Sequence, residues 1–92
     1  MPPNNIFELR NYLTHPRQRD VLIDLFEREF IESQEALGIC VVGTFRNLDD
    51  ADRFVWIRGF ADFPARAAAL NAFYTGLVWQ AHRSAASEKV AR

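Results

Sequence analysis

Few side chains in this 92-residue chain carry reactive groups at a spacing that chemistry could use. Glu8 and Arg10 stand at i and i+2 within Ile6-Phe7-Glu8-Leu9-Arg10-Asn11-Tyr12, so on an extended backbone they share a face. The pair could orient a polar substrate, with Arg10 clamping an anion or a carbonyl. Equally it could be structural, forming ion pairs with Arg58 as a partner. His82 follows Trp79 by three residues and precedes Arg83, which puts indole and imidazole on one side of a helix. It is a candidate general acid/base or haem ligand, against a competing reading as a surface or interface histidine packed on Trp79. Arg10 and His82 are thus the catalytic candidates. His15, just before Pro16, reads as a solvated helix start. No metal site is expected, because Val78 and Ala86 occupy the positions four residues either side of His82. Cys40 lies between Ile39 and Val41 with no base beside it and reads as a buried small hydrophobe. Ser84 and Ser87 lack a nucleophile-elbow context, and the isolated glycines 38, 43, 59 and 76 match neither a phosphate loop nor a dinucleotide fingerprint. No cofactor is expected.

Composition narrows the classes further. Eleven Lys and Arg against 12 Asp and Glu leave a net charge of −1, without the basic surplus that phosphate binding uses. Arg53-Phe54-Val55-Trp56 has a superficial likeness to aromatic single-strand RNA platforms, but the glycine-aromatic pairing of that pattern is missing. Nucleic acid is therefore not expected as a partner. No apolar run exceeds four residues, whereas a membrane span takes about 20. The opening Met1-Pro2-Pro3-Asn4-Asn5 has no apolar secretory core, and a single cysteine excludes an internal disulfide. The expectation is one soluble, cytoplasmic domain.

The elements that must position these residues follow from periodicity. Ile6 to Leu13 alternates without Gly or Pro and reads as a strand. Thr14-His15-Pro16 reads as a helix start, and Leu22, Leu25, Phe26, Phe30 and Leu37 trace one stripe to Gly38, where a left-handed cap belongs. Ile39 to Arg46 and Arg53 to Phe60 form a hairpin around the polar turn 47–52. Asp62 caps a second helix with the stripe Phe63, Ala67, Leu70, Tyr74 and Leu77, Gly76 breaks or bends it, and a last helical stretch runs from Val78 to about Ser87. The order β-α-β-β-α predicts a ferredoxin-like α+β sandwich without its fourth strand, so the outer edge of the first strand is left open to another chain.

Eight Phe, two Trp and two Tyr are a large aromatic load for so small a core. The aliphatic set Phe7, Leu9, Val55 and Ile57 is expected under the helices. The mixed set Glu8, Arg10, Tyr12, Trp56, Arg58 and Phe60 is expected on the opposite face, covered by a second copy of the chain.

Several stretches in this order resemble the NIPSNAP family: the Ile6–Tyr12 opening, Gly43-Thr44-Phe45-Arg46, Phe54-Val55-Trp56-Ile57-Arg58-Gly59-Phe60 and Val78-Trp79-Gln80-Ala81-His82-Arg83. The likeness covers nearly the whole chain. It implies a dimeric α+β barrel, in a superfamily that also holds monooxygenases, haem-degrading proteins and lactone isomerases, so that the fold does not set the function. The family's last strand has no counterpart here, and the domain is expected to be incomplete at its C-terminal end. The resulting reading is a homodimer that binds a small molecule among Glu8, Arg10, Tyr12, Trp56, Arg58, Phe60, Trp79 and His82, as a cofactor-free monooxygenase or isomerase. The alternative is a non-catalytic scaffold or interaction domain.

Overall fold

The computed structural model describes residues 4–91. β1 (Ile6–Leu13) leads into one long helix of three parts: α1 (Arg19–Leu25), a π-helical segment (Phe26–Phe30) and α2 (Ile31–Glu35). β2 (Cys40–Arg46), β3 (Arg53–Phe60), α3 (Phe63–Thr75) and α4 (Leu77–Lys89) follow. The strands form one antiparallel sheet in the order β1-β3-β2, and the helices cover one of its faces. This is the expected α+β arrangement, with β1 and β3 bounded as their alternation predicts.

The long helix begins later than the sequence suggests. Thr14 is drawn into the sheet edge, fully buried, with its backbone N–H and hydroxyl both donating to Asp52 O at 2.7 and 3.0 Å. The chain then needs a turn before it can coil, and Arg17 takes a positive φ of 67° within it. Arg19 ties the helix start to the hairpin loop by donating to the carbonyls of Asn47 and Asp50, both at 3.1 Å.

At the far end Gly38 adopts φ 86°, Ile39 N–H reaches back to Gln34 O, and Gly38 N–H to Glu35 O. These are the two bonds of a Schellman cap, which needs a left-handed residue between helix and strand. No atom stands within 4 Å of a Cβ built at Gly38. Gly38→Ala therefore carries only backbone strain, expected to cost about 1 kcal/mol in chemical denaturation. An unchanged midpoint would show that the cap does not need glycine. Asp62 caps α3 as expected, accepting from Ala65 N–H at 2.7 Å, and Gly76 separates α3 from α4.

The two faces of the sheet are the reverse of the sequence expectation. Phe54, Trp56, Arg58 and Phe60 are buried against the helices, while Phe7 and Leu9 are exposed on the open face. The register places Phe7, Gly59 and Cys40 side by side, then Leu9, Ile57 and Gly43, then Asn11, Val55 and Phe45, all on that open face. Both alternating sets are apolar enough to form a core, so hydrophobicity does not choose between them. The buried set is the one whose members find partners on the helices and within the network: Phe54 and Trp56 meet the Phe26 ring at 5.4 and 4.7 Å between centroids, and Arg58 pairs with Glu8 at 2.7 Å. The α3 stripe is rotated in the same way: Ala69, Leu70, Phe73 and Tyr74 pack inward, whereas Phe63 and Leu77 are exposed.

The outer edge of β1 is partly occupied. Thr14 bridges Val90, His15 N–H donates to Lys89 O at 2.9 Å, and Ala91 N–H donates to Leu13 O at 2.8 Å. Residues 89–91 thus lie where a fourth strand would start, and along Ile6–Tyr12 no strand among the described residues pairs with that edge.

Candidate functional site: a cavity between sheet and helices

A cavity of about 370 Å³ lies between the helix layer and the buried face of the sheet. Leu22, Phe26, Phe30 and Gln34 form its helical wall. A spacing of four residues overshoots one α-helical turn by about 0.4 residue, so four such positions would drift around a regular helix. The wider π turn at Phe26–Phe30 takes up that drift and keeps all four side chains on the cavity. Tyr12, Phe54 and Trp56 form the sheet wall. Phe73, Tyr74, Trp79 and Ala86 close it from α3 and α4. The rings meet edge to face or tilted, with Phe26–Trp56 centroids 4.7 Å apart and Phe30–Trp79 5.6 Å apart.

A polar network borders this apolar space. Arg10 donates through Nε and Nη2 to Tyr12 Oη at 3.3 and 3.2 Å. Arg58, only 3% exposed, donates through Nε to Glu8 Oε1 at 2.7 Å and through Nη1 to Tyr74 Oη at 3.3 Å. Arg66 reaches the other oxygen, Glu8 Oε2, at 2.7 Å. The Arg58 guanidinium also lies over the rings of Trp56 and Phe60, at 5.4 and 5.7 Å from their centroids. Burial pushes the Glu8 carboxyl up, but hydrogen bonds from Arg66 and Arg58 and the charges of both outweigh it and hold Glu8 below the usual carboxylate range. For Arg10, burial opposes the charge, while Tyr12, the nearby Tyr74 hydroxyl and Glu8 raise its pKa above the ordinary arginine value.

Trp56 Nε1 and Gln34 Oε1 belong to residues that line the cavity, but the two atoms are themselves closed off from it and have no hydrogen-bond partner. Gln34 is 1% exposed and spends its amide N–H on Phe30 O at 2.9 Å. Unpaired groups of this kind are costly in a folded interior.

Of the residues singled out in the sequence, Tyr12, Trp56 and Trp79 line the cavity. Arg10 and Arg58 hold its two tyrosines, Glu8 joins Arg58 to Arg66, and Phe60 lies buried beneath both of those guanidiniums. His82 stands apart. Its Nε2 meets Glu29 Oε2 at 3.3 Å, and its ring packs edge-on to Phe30. Phe54 and Trp56, the rings of the RNA-like stretch, are buried and unavailable for base stacking. Arg66, Tyr74 and Gln34 were not legible as site residues. The recurrence Leu22-Phe26-Phe30-Gln34 is the signal that could have found the last of them, since it places a polar side chain at the end of an apolar row. Among the described residues, no three His, Cys, Asp or Glu side chains gather as a metal site, and no helix is long and apolar enough to cross a membrane.

Comparison with known proteins places this architecture. The sequence model of the NIPSNAP family matches residues 7–92. The chain belongs to the NIPSNAP family. Solved NIPSNAP structures share its fold: an uncharacterized NIPSNAP domain protein from Burkholderia xenovorans superposes with a TM-score of 0.84 at 15% identity, covering 94% of this chain and 84% of that one. A NIPSNAP-like domain protein from the same organism gives 0.82 at 24% identity, with 94% and 76% covered. A NIPSNAP family protein from Agrobacterium tumefaciens gives 0.84 at 20% identity, with 94% and 83% covered. No curated protein matches the chain. The ferredoxin-like α+β reading of this NIPSNAP domain thus stands on both sequence family and architecture.

Proposed function

We propose that this NIPSNAP domain is a small-molecule-binding protein whose ligand occupies the cavity between sheet and helices, and that it works as a homodimer in the cytoplasm. The observation that carries the reading is the cavity itself, a half-open space between sheet and helices in a domain of only 92 residues. Its size falls in the range of ligand pockets, its walls are mostly aromatic, and a few polar groups converge on it. The exposed aliphatic face of the sheet supports pairing with a second copy, and an unpaired Cys40 suits a reducing compartment.

Binding is favoured over a monooxygenase or isomerase activity for a chemical reason. Proton abstraction from a substrate needs a base within reach. Among the described residues no carboxylate or histidine lines the cavity; Glu8 is committed to two guanidiniums and His82 to Glu29. A pure scaffold role, the alternative, would leave the cavity and its polar border without a use.

The test uses cyclohexanol as a probe and amide NMR as the readout. Shifts confined to the cavity walls, and abolished when Ala86→Phe puts a ring into the space, are the expected result. Shifts scattered over the surface, or indifferent to Ala86→Phe, would overturn the reading.

A further inference from the structure

Two hydroxyls of residues that line the cavity are left with a proton to give. Tyr12 Oη already accepts from Arg10, and Tyr74 Oη from Arg58. A phenol oxygen that accepts from a guanidinium keeps its own proton to give, and among the described residues neither hydroxyl has an acceptor. Arg10 has no carboxylate partner among those residues either, and its Nη1 makes no hydrogen bond, unlike Nε and Nη2. Ser87, whose hydroxyl can both donate and accept, also lines the cavity. Charge leans the same way. Arg58 and Arg66 share Glu8, and Arg10, held on the Tyr12 hydroxyl, adds a cation with no carboxylate partner among the described residues.

We propose that the cavity selects a small carboxylic acid, its compact apolar body among the rings of Phe26, Phe30 and Trp79 and its carboxylate accepting from the hydroxyls of Tyr12 and Tyr74, which Arg10 and Arg58 hold in place from behind. This rests on the binding reading above and adds the ligand's chemical class. A hydroxyl that accepts from a guanidinium is a stronger donor to a carboxylate, and the positive charge behind it favours an anion. An amine or ammonium ligand would meet donors and positive charge on the same side. A neutral amide would gain the apolar contacts but not the charge.

Cyclohexanecarboxylate and cyclohexanecarboxamide are nearly isosteric and transparent where tryptophan absorbs. Trp56 and Trp79, the two tryptophans of the chain, both line the cavity and report binding through their emission. At neutral pH the acid is expected to bind at least tenfold more tightly than the amide. Arg10→Gln should weaken the acid tenfold or more and the amide less than twofold. Tyr12→Phe, which removes one oxygen and leaves the ring in place, should weaken the acid several-fold, and it keeps the test open if Arg10→Gln fails to fold. Equal affinities for acid and amide, or an acid affinity indifferent to both variants, would overturn the assignment while leaving the cavity a binding site. No change in emission with either compound, together with no cyclohexanol shifts in the cavity, would overturn the binding reading and this inference with it.

Discussion

Glu8→Ala is expected to destabilise the domain by about 3 kcal/mol, a large share of what so small a fold has to lose. Arg58 is 3% exposed, and Glu8, with its side chain 24% exposed, is its one ionic partner. Removing the carboxylate leaves a guanidinium buried between the sheet and the helices with Tyr74 Oη as its remaining acceptor among the described residues. Loss of one partner from a fully buried pair costs about 3–5 kcal/mol, and the partial exposure of Glu8 places this case at the lower end. A midpoint in urea within about 0.5 kcal/mol of the unaltered protein would show that Arg58 finds water or another acceptor. The same pair has a signature in pH. Because Glu8 is held below the ordinary carboxylate value in the folded state, its contribution is fully present above about pH 5 and is lost as pH falls through the lowered value. Stability curves for the unaltered protein and Glu8→Gln should therefore lie apart at neutral pH and converge in acid. Parallel curves down to the lowest pH at which the protein folds would contradict this.

Leu9→Asp is expected to turn a dimer into a monomer. Leu9 lies in the middle of β1, 63% exposed, beside Ile57 and the flat surface of Gly43. The glycines of this face are covered by neighbouring rings: a Cβ at Gly43 would fall 2.7 Å from the Phe45 ring, and one at Gly59 3.2 Å from that of Phe7. The result is a smooth apolar sheet surface of the kind that another sheet covers, and a stable interface takes about 800 Å² from each partner. In a two-fold dimer each substitution counts twice, so two carboxylates would be buried without partners at its centre. Sedimentation at tens of micromolar should give twice the 10.6 kDa chain mass for the unaltered protein and the chain mass for Leu9→Asp. A monomeric unaltered protein, or a dimer that tolerates Leu9→Asp, would show that this face has another role. The prediction concerns Phe7, Leu9 and Phe45 rather than the Tyr12, Trp56 and Phe60 that the sequence suggests, because those three face the helices.

That exchange of faces marks the division between sequence and structure. The sequence by itself determined the strands Ile6–Leu13 and Arg53–Phe60, the Gly38 and Asp62 caps, the break at Gly76 and the β-α-β-β-α order. Each is a local matter of alternation, capping oxygen or left-handed backbone, decided within a few residues. It also gathered Glu8, Arg10, Tyr12, Trp56, Arg58 and Phe60 onto one face, since a period of two needs no partner to be read. Only the tertiary structure decided which way that face points, because an alternating strand with apolar residues on both sides has two solutions of similar hydrophobicity. The buried face is the one whose rings and charges find partners on other elements: Arg66 and Tyr74 come from α3, more than fifty and sixty positions after Glu8, and complete a network that no local pattern announces. The cavity belongs to the same category. It exists because one π turn keeps Leu22, Phe26, Phe30 and Gln34 in line while α4 holds Trp79 opposite, and an unfilled space is a property of how elements meet rather than of any one of them.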